Sequence, residues 1–411
     1  MSKEIDALDK NGTLSVTDLS PGKKAISCKW VYKIKYNSDG TVERYKDRLV
    51  ILGNRQVEGA LKTFGFVQSY ADYCLFTLRQ GENSTNVLVY VDDLIIAGNN
   101  SAAISAFKAY LSRCFHMKDL GILKYFLGIE MSRGADGLFL SQREYTLDIL
   151  SETGLLGAKP ASSPIDQHHR LALDDGPLYS DSSQYCRLVG CLIYLTITHP
   201  ELCYSVHVLA QFMQSPRVSH WEAALRVLRY LKGHPGQGIL LRKDSALQLT
   251  AYCDFDWASC PLSRRSLTGY FIFLGGSPIF WKTKRQHTIS RSSAEAEYRS
   301  MAHTCSNLTW IKALLKSIGV FHSQPMSLYC DSQSALHIVA NPVFHERTKH
   351  IEIDYHYVRD QIQTGVVINS YVRTTAQLAE IITKALGRPQ FEQLLCKLGI
   401  RDPMLQLEGE Y

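Results

Sequence analysis

Three acidic residues stand where a carboxylate is hard to explain as surface decoration. Asp254 interrupts an apolar, aromatic run, YCDFDW, between Tyr252 and Phe255. Glu297 follows the helix-opening serines of SRSSAEAEYRSMA one turn before Met301, so helical periodicity turns it toward the apolar side. Asp331 directly follows the strand-like Met326–Cys330, at the kind of strand end where side chains converge in an open α/β sheet. Hydrolysis of a phosphodiester by divalent ions asks for such a set: several carboxylates from separate elements, brought to a site about 4 Å across. Each acid also has a plainer reading. Asp254 needs only one partner cation, Glu295 and Glu297 both suit a helix N-terminus, and Asp331 can cap the next helix. Asp256 shares a strand face with Asp254 and either flanks the site or reaches solvent.

Asp92 and Asp93 form a second acidic pair, at the tip of a hairpin read from the two apolar runs of TNVLVYVDDLIIAG. Cations crowd two stretches: Lys23, Lys24, Lys29, Lys33 and Lys35 near the front, and Lys282, Lys284, Arg285 and Arg291 in the back half. Phosphate contacts are expected there, although a net charge of +6 does not by itself demonstrate a nucleic-acid partner. His345, His350 and His356 do not make a zinc site, because no cysteine pair joins them.

The elements that must position these residues follow from periodicity. Ile26 to Tyr36 and Thr41 to Leu52 read as two strands around an Asn37–Gly40 turn, and Ser101 to Cys114 as a helix with Ile104, Phe107 and Leu111 on one face. Leu120 to Met131 reads as a hairpin and Ser141 to Thr153 as a helix. Further helices are expected at Tyr185 to Leu195, Leu202 to Gln214 and Trp221 to Leu231. Then come strands Leu247 to Phe255, Leu267 to Leu274 and Pro278 to Thr283, and a long helix from about Ser293. Strand Met326 to Cys330, helices Ser334 to Val339 and Ile351 to Thr364, strand Val366 to Val372 and helix Thr375 to Leu386 complete a mixed sheet. The fold class is therefore α+β in front and α/β at the back, with domains at 1–158, 159–245 and 246–399 and a tail at 400–411; the Pro/Ser/Asp/His-rich stretch from Lys159 to Ser183 marks the clearest boundary.

Composition agrees with packed domains, with 45% hydrophobic and 20% charged residues and no long low-complexity tract, so disorder is a poor global reading. The polar start MSKEIDALDKNG lacks a secretory pattern, and no apolar run reaches a membrane span; an intracellular protein, cytoplasmic or nuclear, is expected. Eleven scattered cysteines without a C-x-x-C pair read as buried thiols.

YCDFDWASCPLSRRSLTGY, ISRSSAEAEYRSMA, LYCDSQSA, NPVFHERTKHIEIDYHYVRD and TTAQLAEIITKAL, in this order, resemble the ribonuclease H domain of Ty1/copia-type retrotransposon polyproteins over roughly 246–399. The resemblance implies that Asp254, Glu297 and Asp331 are three of four catalytic acids holding magnesium or manganese, while water cleaves the RNA strand of an RNA/DNA hybrid. The fourth acid is expected as Asp, but Glu380 stands there, and its extra methylene moves the carboxylate outward. His350 and His356 are then expected close to the ribonuclease site, with Arg347 and Lys349 on phosphates.

The front half resembles the reverse transcriptase of the same family. AISCKWVYKIKYNSDGTVERYKDRLV looks like its fingers, YVDD like its catalytic hairpin, with Asp92 and Asp93 as metal-binding acids, and MKDLGILKYFLGIEMSR like the primer-gripping region; Tyr185 to Gly238 looks like the connection to ribonuclease H. Lys46 and Arg48 would face the incoming triphosphate. The family carries another aspartate on a strand before the hairpin, and between Gly59 and Ala60 that segment is absent. The first 130 residues are therefore expected to be only partly ordered and to lack DNA synthesis. Three function classes compete: a ribonuclease H with a dead polymerase, a non-catalytic binder of primer/template or hybrid acting with a full-length relative in trans, and an inert relic.

Overall fold

A computed structural model describes residues 28–36, 42–51, 53–91, 93–115, 117–173, 176–340 and 352–401. The chain forms two compact units, one from Met1–Leu123 with Ala313–Gly319 and the other from Lys124–Lys312 with Val320–Tyr411.

In the first unit, β1 (Cys28–Tyr36) and β2 (Val42–Ile51) pair antiparallel as expected. Helix α1 (Gly53–Phe64) then runs without interruption across Gly59–Ala60, where the sequence reading places a missing segment. It continues because Val57, Leu61 and Phe64 recur at helical spacing and can be buried on one face. Strands β3 (Val67–Gln68), β4 (Leu75–Gln80), β5 (Asn83–Tyr90) and β6 (Asp93–Gly98) form an antiparallel sheet in sequence order. Helix α2 (Ser101–Cys114) is capped by Asn100, whose side chain accepts from the Ala103 N–H at 3.0 Å. Leu61, Phe66, Phe76, Val87, Val89, Phe107 and Leu111 make one core. Within residues 53–91 and 93–115, α1 and α2 supply the sheet's apolar partner, whereas on the other face Leu88 is half-buried and Tyr90 exposed.

The second unit holds two five-stranded sheets. In the first, β7 (Tyr125–Phe126), β8 (Ile129–Arg133) and β9 (Gly137–Ser141) precede helices α3 (Arg143–Glu152), α4 (Ser182–Leu195), α5 (Cys203–Ala210) and α6 (Val218–Gly233). Strand β10 (Gly238–Arg242) then returns to pair with β9. One helix was expected at Leu202 to Gln214; instead a 3-10 turn, Pro200–Leu202, leads into the shorter α5. Pro200 starts that turn because its missing N–H costs nothing at a helical first position. Trp221 on α6 stacks on Tyr179 at 4.8 Å, while Ala224, Leu228 and Leu231 enter the core.

The second sheet begins with β11 (Leu249–Asp256), β12 (Leu267–Leu274) and β13 (Ser277–Arg285), which are antiparallel. Helix α7 (Ser293–Ser317) leads to β14 (Met326–Cys330); α8 (Gln333–Ala340) and α9 (Glu352–Gln363) precede β15 (Val367–Tyr371). With β14 parallel to both β11 and β15, the order β13-β12-β11-β14-β15 is the mixed sheet expected. The helix expected from Thr375 to Leu386 is replaced by 3-10 turns at Thr374–Ala376 and Leu378–Ile382, followed by α10 (Arg388–Lys397) and the short β16 (Ile400–Arg401). A tertiary contact overrides helical propensity there: the Gln377 side chain accepts from Ala379 N–H and donates to the Cys253 carbonyl at 2.9 Å, pinning the segment to β11. Among the described residues no helix is long and apolar enough to cross a membrane.

Candidate functional site

Asp254 lies on β11 directly opposite Gly269 of β12. A side chain at Gly269 would put its Cβ 2.3 Å from Thr383 Cγ2, so glycine lets the 378–383 segment close onto Asp254. Thr383 Oγ1 donates to Asp254 Oδ2, and the Lys384 ammonium stands 3.4 Å from Oδ1 and 3.3 Å from Oδ2. Lys384 also lies 3.0 Å from Glu380 Oε1, and Glu380 Oε2 accepts from Gln390 Nε2 at 2.6 Å. Both acids are buried, Asp254 at 1% exposure and Glu380 at 4%. The partner cation that Asp254 needed is therefore Lys384.

Glu297 is wholly buried in the second turn of α7, as its position before Met301 predicted. Ser292 caps this helix by accepting from Glu295 N–H at 3.2 Å. Glu295 takes the plainer role considered for both glutamates, accepting from Arg291 N–H at 2.7 Å and pairing with Arg299 at 3.0 Å. Glu297 does something else. The Cys330 thiol donates to its Oε1 at 2.9 Å, Cys253 Sγ lies 3.9 Å from the same atom, and Oε2 has no hydrogen-bond partner. Alternation along β11 sends Cys253 toward Glu297 while Asp254 meets Thr383 and Lys384. Asp331, half-buried at the end of β14, accepts from Thr374 Oγ1 at 3.0 Å.

Burial pushes the Asp254 carboxyl up to about 7, with Asp331 and Glu380 adding to the rise and Lys384 and Thr383 opposing it. Glu297 is raised well above the usual carboxylate range, first by burial, with Asp254 and Asp331 adding to the rise. Burial works against the Lys384 ammonium, but Asp254 and Glu380 outweigh it and strengthen its hold on the proton. Asp331 thus acts on both Asp254 and Glu297. Among the described residues, however, no three His, Cys, Asp or Glu side chains converge as a group that could hold a metal ion.

Lys282 and Lys284 share one face of β13 by strand alternation, and Arg285 belongs to the other. The three therefore do not form a single basic patch. The two lysines depress the His303 imidazole, which burial lowers first, whereas Arg285 acts on His207 and Cys260. In the first unit the hairpin is as expected: Tyr90 pairs with Asp93, which is exposed, and Val91 adopts φ +49° at the tip. A β-branched residue with positive φ is strained, and such strain concentrates at functional turns. Asp92, Arg347, Lys349 and His350, and the side chains of Lys46 and Arg48, lie outside the described residues. His356 is exposed on α9, with its ring edge-on to Tyr355.

Sequence reasoning missed Lys384, Thr383, Gln390 and Cys330. Lys384 did leave a signal, its i,i+4 spacing from Glu380. Cys330 left none, since its role depends on α7 arriving over β14.

Residues 54–167 match the reverse transcriptase (RNA-dependent DNA polymerase) family. The chain is 36% identical to the retrovirus-related Pol polyprotein from transposon RE2 of Arabidopsis thaliana, over 97% of this chain and 34% of that protein. That alignment runs over 489 positions for a chain of 411 residues, so the relative carries segments that this chain lacks. The chain is also 31% identical to a putative transposon Ty5-1 protein of Saccharomyces cerevisiae, over 62% of this chain and 83% of that one. A foamy viral protease-reverse transcriptase solved in complex with an RNA/DNA hybrid aligns with a TM-score of 0.44 at 12% identity, covering 86% of this chain and 44% of that one. The chain spans about a third of the length of the curated Pol polyproteins it matches. With sequence likeness along nearly its whole length and a mixed sheet carrying the acids in the expected order, the chain belongs to the retrotransposon-derived Pol polyproteins of the Ty1/copia type.

Proposed function

We propose that the sheet from Leu249 to Tyr371, with its helices, is a divalent-metal-dependent ribonuclease domain that cuts the RNA strand of an RNA/DNA hybrid, and that the front unit does not synthesise DNA. The observation that carries this reading is the burial of Asp254 and Glu297 in one charge-coupled group, with Glu297 Oε2 left unpartnered. Burying a carboxylate without its full complement of partners is costly, and proteins keep such groups where a ligand completes them. Asp254, Glu297 and Asp331 are the residues that would hold magnesium or manganese, with Glu380 as the fourth acid the family position supplies, although among the described residues their side chains do not converge as a metal-holding group. Bound there, the ion would supply the positive charge that activates water and offsets charge on the phosphate. To hold the ion, Glu297 would have to release the Cys330 thiol, and Asp254 would have to share its carboxylate with Lys384. Lys282 and Lys284, on a common strand face, are proposed to meet substrate phosphates.

A second reading is favoured by the same contacts. Lys384, Thr383, Gln390 and Cys330 satisfy most of the acids' oxygens without metal, as a non-catalytic nucleic-acid-binding remnant would require, with a full-length relative supplying activity in trans. Purified full-length protein with magnesium or manganese decides between them. RNA should be cut only when paired with DNA, and Asp254→Asn, Glu297→Gln or Asp331→Asn should lower the rate at least ~100-fold while circular dichroism is unchanged. Salt-sensitive hybrid binding without cleavage establishes the second reading.

A further inference from the structure

Between helix α5, the loop from β11 to β12 and the end of β13, all within the second unit, lies a cavity of about 50 Å3. Its polar lining includes His169, Tyr204, His207, Arg265 and Arg285. Three of these residues carry a nitrogen that is buried without a hydrogen-bond partner: His169 Nδ1, His207 Nε2 and Arg285 Nη2. Leaving a buried donor unsatisfied is costly, more so on a charged guanidinium, and proteins keep such groups where something completes them. The tautomer in which Tyr204 donates to His169 Nε2 at 3.1 Å leaves the ring proton on Nδ1, so the unpartnered atom is a donor. Burial, reinforced by Arg285, lowers His207 to about 4, and its neutral imidazole still offers one N–H.

Charge selects the occupant. Among the described residues neither Arg265 nor Arg285 has an ion-pair partner, and no acid lines the cavity. Asp166 acts on His169 and Asp256 on Tyr204 from outside it, but Asp166 pairs with Arg226 at 3.9 Å and Asp256 feels Lys384. Two guanidiniums and two imidazoles therefore face a space that repels cations and favours an anion. Volume selects further: the space exceeds the ~30 Å3 share of a water and falls far short of the ~150 Å3 that takes a benzene ring, so the anion is compact. The planar fork of a guanidinium matches two oxygens of a tetrahedral oxyanion. We infer that this cavity binds one inorganic oxyanion of the phosphate or sulfate class, received inside by Arg285, His169 and His207 and at the exposed rim by Arg265. A backbone phosphate of a nucleic acid carries two sugar substituents for which the cavity has no room, so the ligand is the free anion. It fastens α5 to the end of β13 and to the β11–β12 loop. The inference is independent of the ribonuclease reading and gives a role to Arg285, on the strand face away from Lys282 and Lys284.

Equilibrium dialysis of the full-length protein against radiolabelled inorganic phosphate, in a buffer free of chloride and sulfate, tests this. The native protein should hold one phosphate per chain, displaced by sulfate. Arg285→Met should weaken binding at least ~10-fold, because the charge-assisted fork is lost. Arg265→Met should weaken it severalfold, and because Arg265 is exposed this variant carries the test if Arg285→Met fails to fold. Arg264→Met removes an exposed cation of the same loop that does not line the cavity, and should leave the affinity unchanged. No phosphate on the native protein, undiminished affinity in Arg265→Met or in folded Arg285→Met, or an equal loss in Arg264→Met and Arg265→Met, the mark of diffuse surface charge, would each overturn the inference. Displacement of the bound phosphate by an RNA/DNA hybrid would overturn it as well, since the site would then belong to a nucleic-acid backbone.

Discussion

The Cys330 thiol at the end of β14 donates to Oε1 of Glu297 on α7 at 2.9 Å, and both residues are sealed from water. Cys330 is thus the principal polar contact of the most deeply buried acid in the group. Removing one partner of a buried polar pair costs about 1–3 kcal/mol, so Cys330→Ala should lower stability by that order in urea unfolding, and Cys330→Ser should recover most of it. Equal stability of the alanine and serine variants would show that the hydrogen bond contributes nothing.

The Asp254 carboxyl is held near 7 by burial, far above its ordinary value of 3.8. The folded state therefore keeps a proton that the unfolded chain has released. The stability tied to this group is fully present below about pH 4 and is lost as pH rises through 7. At about 1.4 kcal/mol per pKa unit, the change is at most about 4 kcal/mol. In a chelator, the native protein should be more stable at pH 5 than at pH 8, and Asp254→Asn should flatten that slope; parallel slopes in the two proteins would contradict the assignment.

Shortening Glu380 to Asp draws the carboxylate away from a position that reaches both Lys384 and Gln390. Lys384 is then less firmly held, and an ion at Asp254 would meet less competition from it. Hybrid cleavage by Glu380→Asp should rise severalfold at limiting magnesium and converge with the native rate at saturation, as seen in a magnesium titration of RNA cleavage. Unchanged or lower cleavage by the folded variant would refute this.

Full-length protein should not extend a primer on RNA or DNA templates with magnesium or manganese. In the first unit α1 passes directly into β3, and no strand among the described residues brings a further acid beside the Asp93 hairpin. Two-ion nucleotidyl transfer requires carboxylates from more than one element. Template-dependent extension that disappears in Asp92→Asn would contradict this.

Alternation and helical periodicity are local properties, so strand β12, strand β14 and helix α2 were legible in the sequence to the residue, and the inward turn of Glu297 followed from its spacing to Met301. The acids and their order were legible for the same reason. What each acid touches was not. The Cys330 contact depends on α7 lying over β14, and the grip of Lys384 on Asp254 depends on residues 378–383 closing against Gly269, which lie more than 100 positions away in the chain. Local propensity favoured a helix from Thr375, but the Gln377 bond to the Cys253 carbonyl turned the segment into 3-10 turns and delivered Lys384 to the acid group. The sequence by itself determined which carboxylates are present and on which elements; tertiary packing alone decided that one of them is already neutralised by a lysine, because such a contact is set by the distance between elements rather than by the order of residues within them.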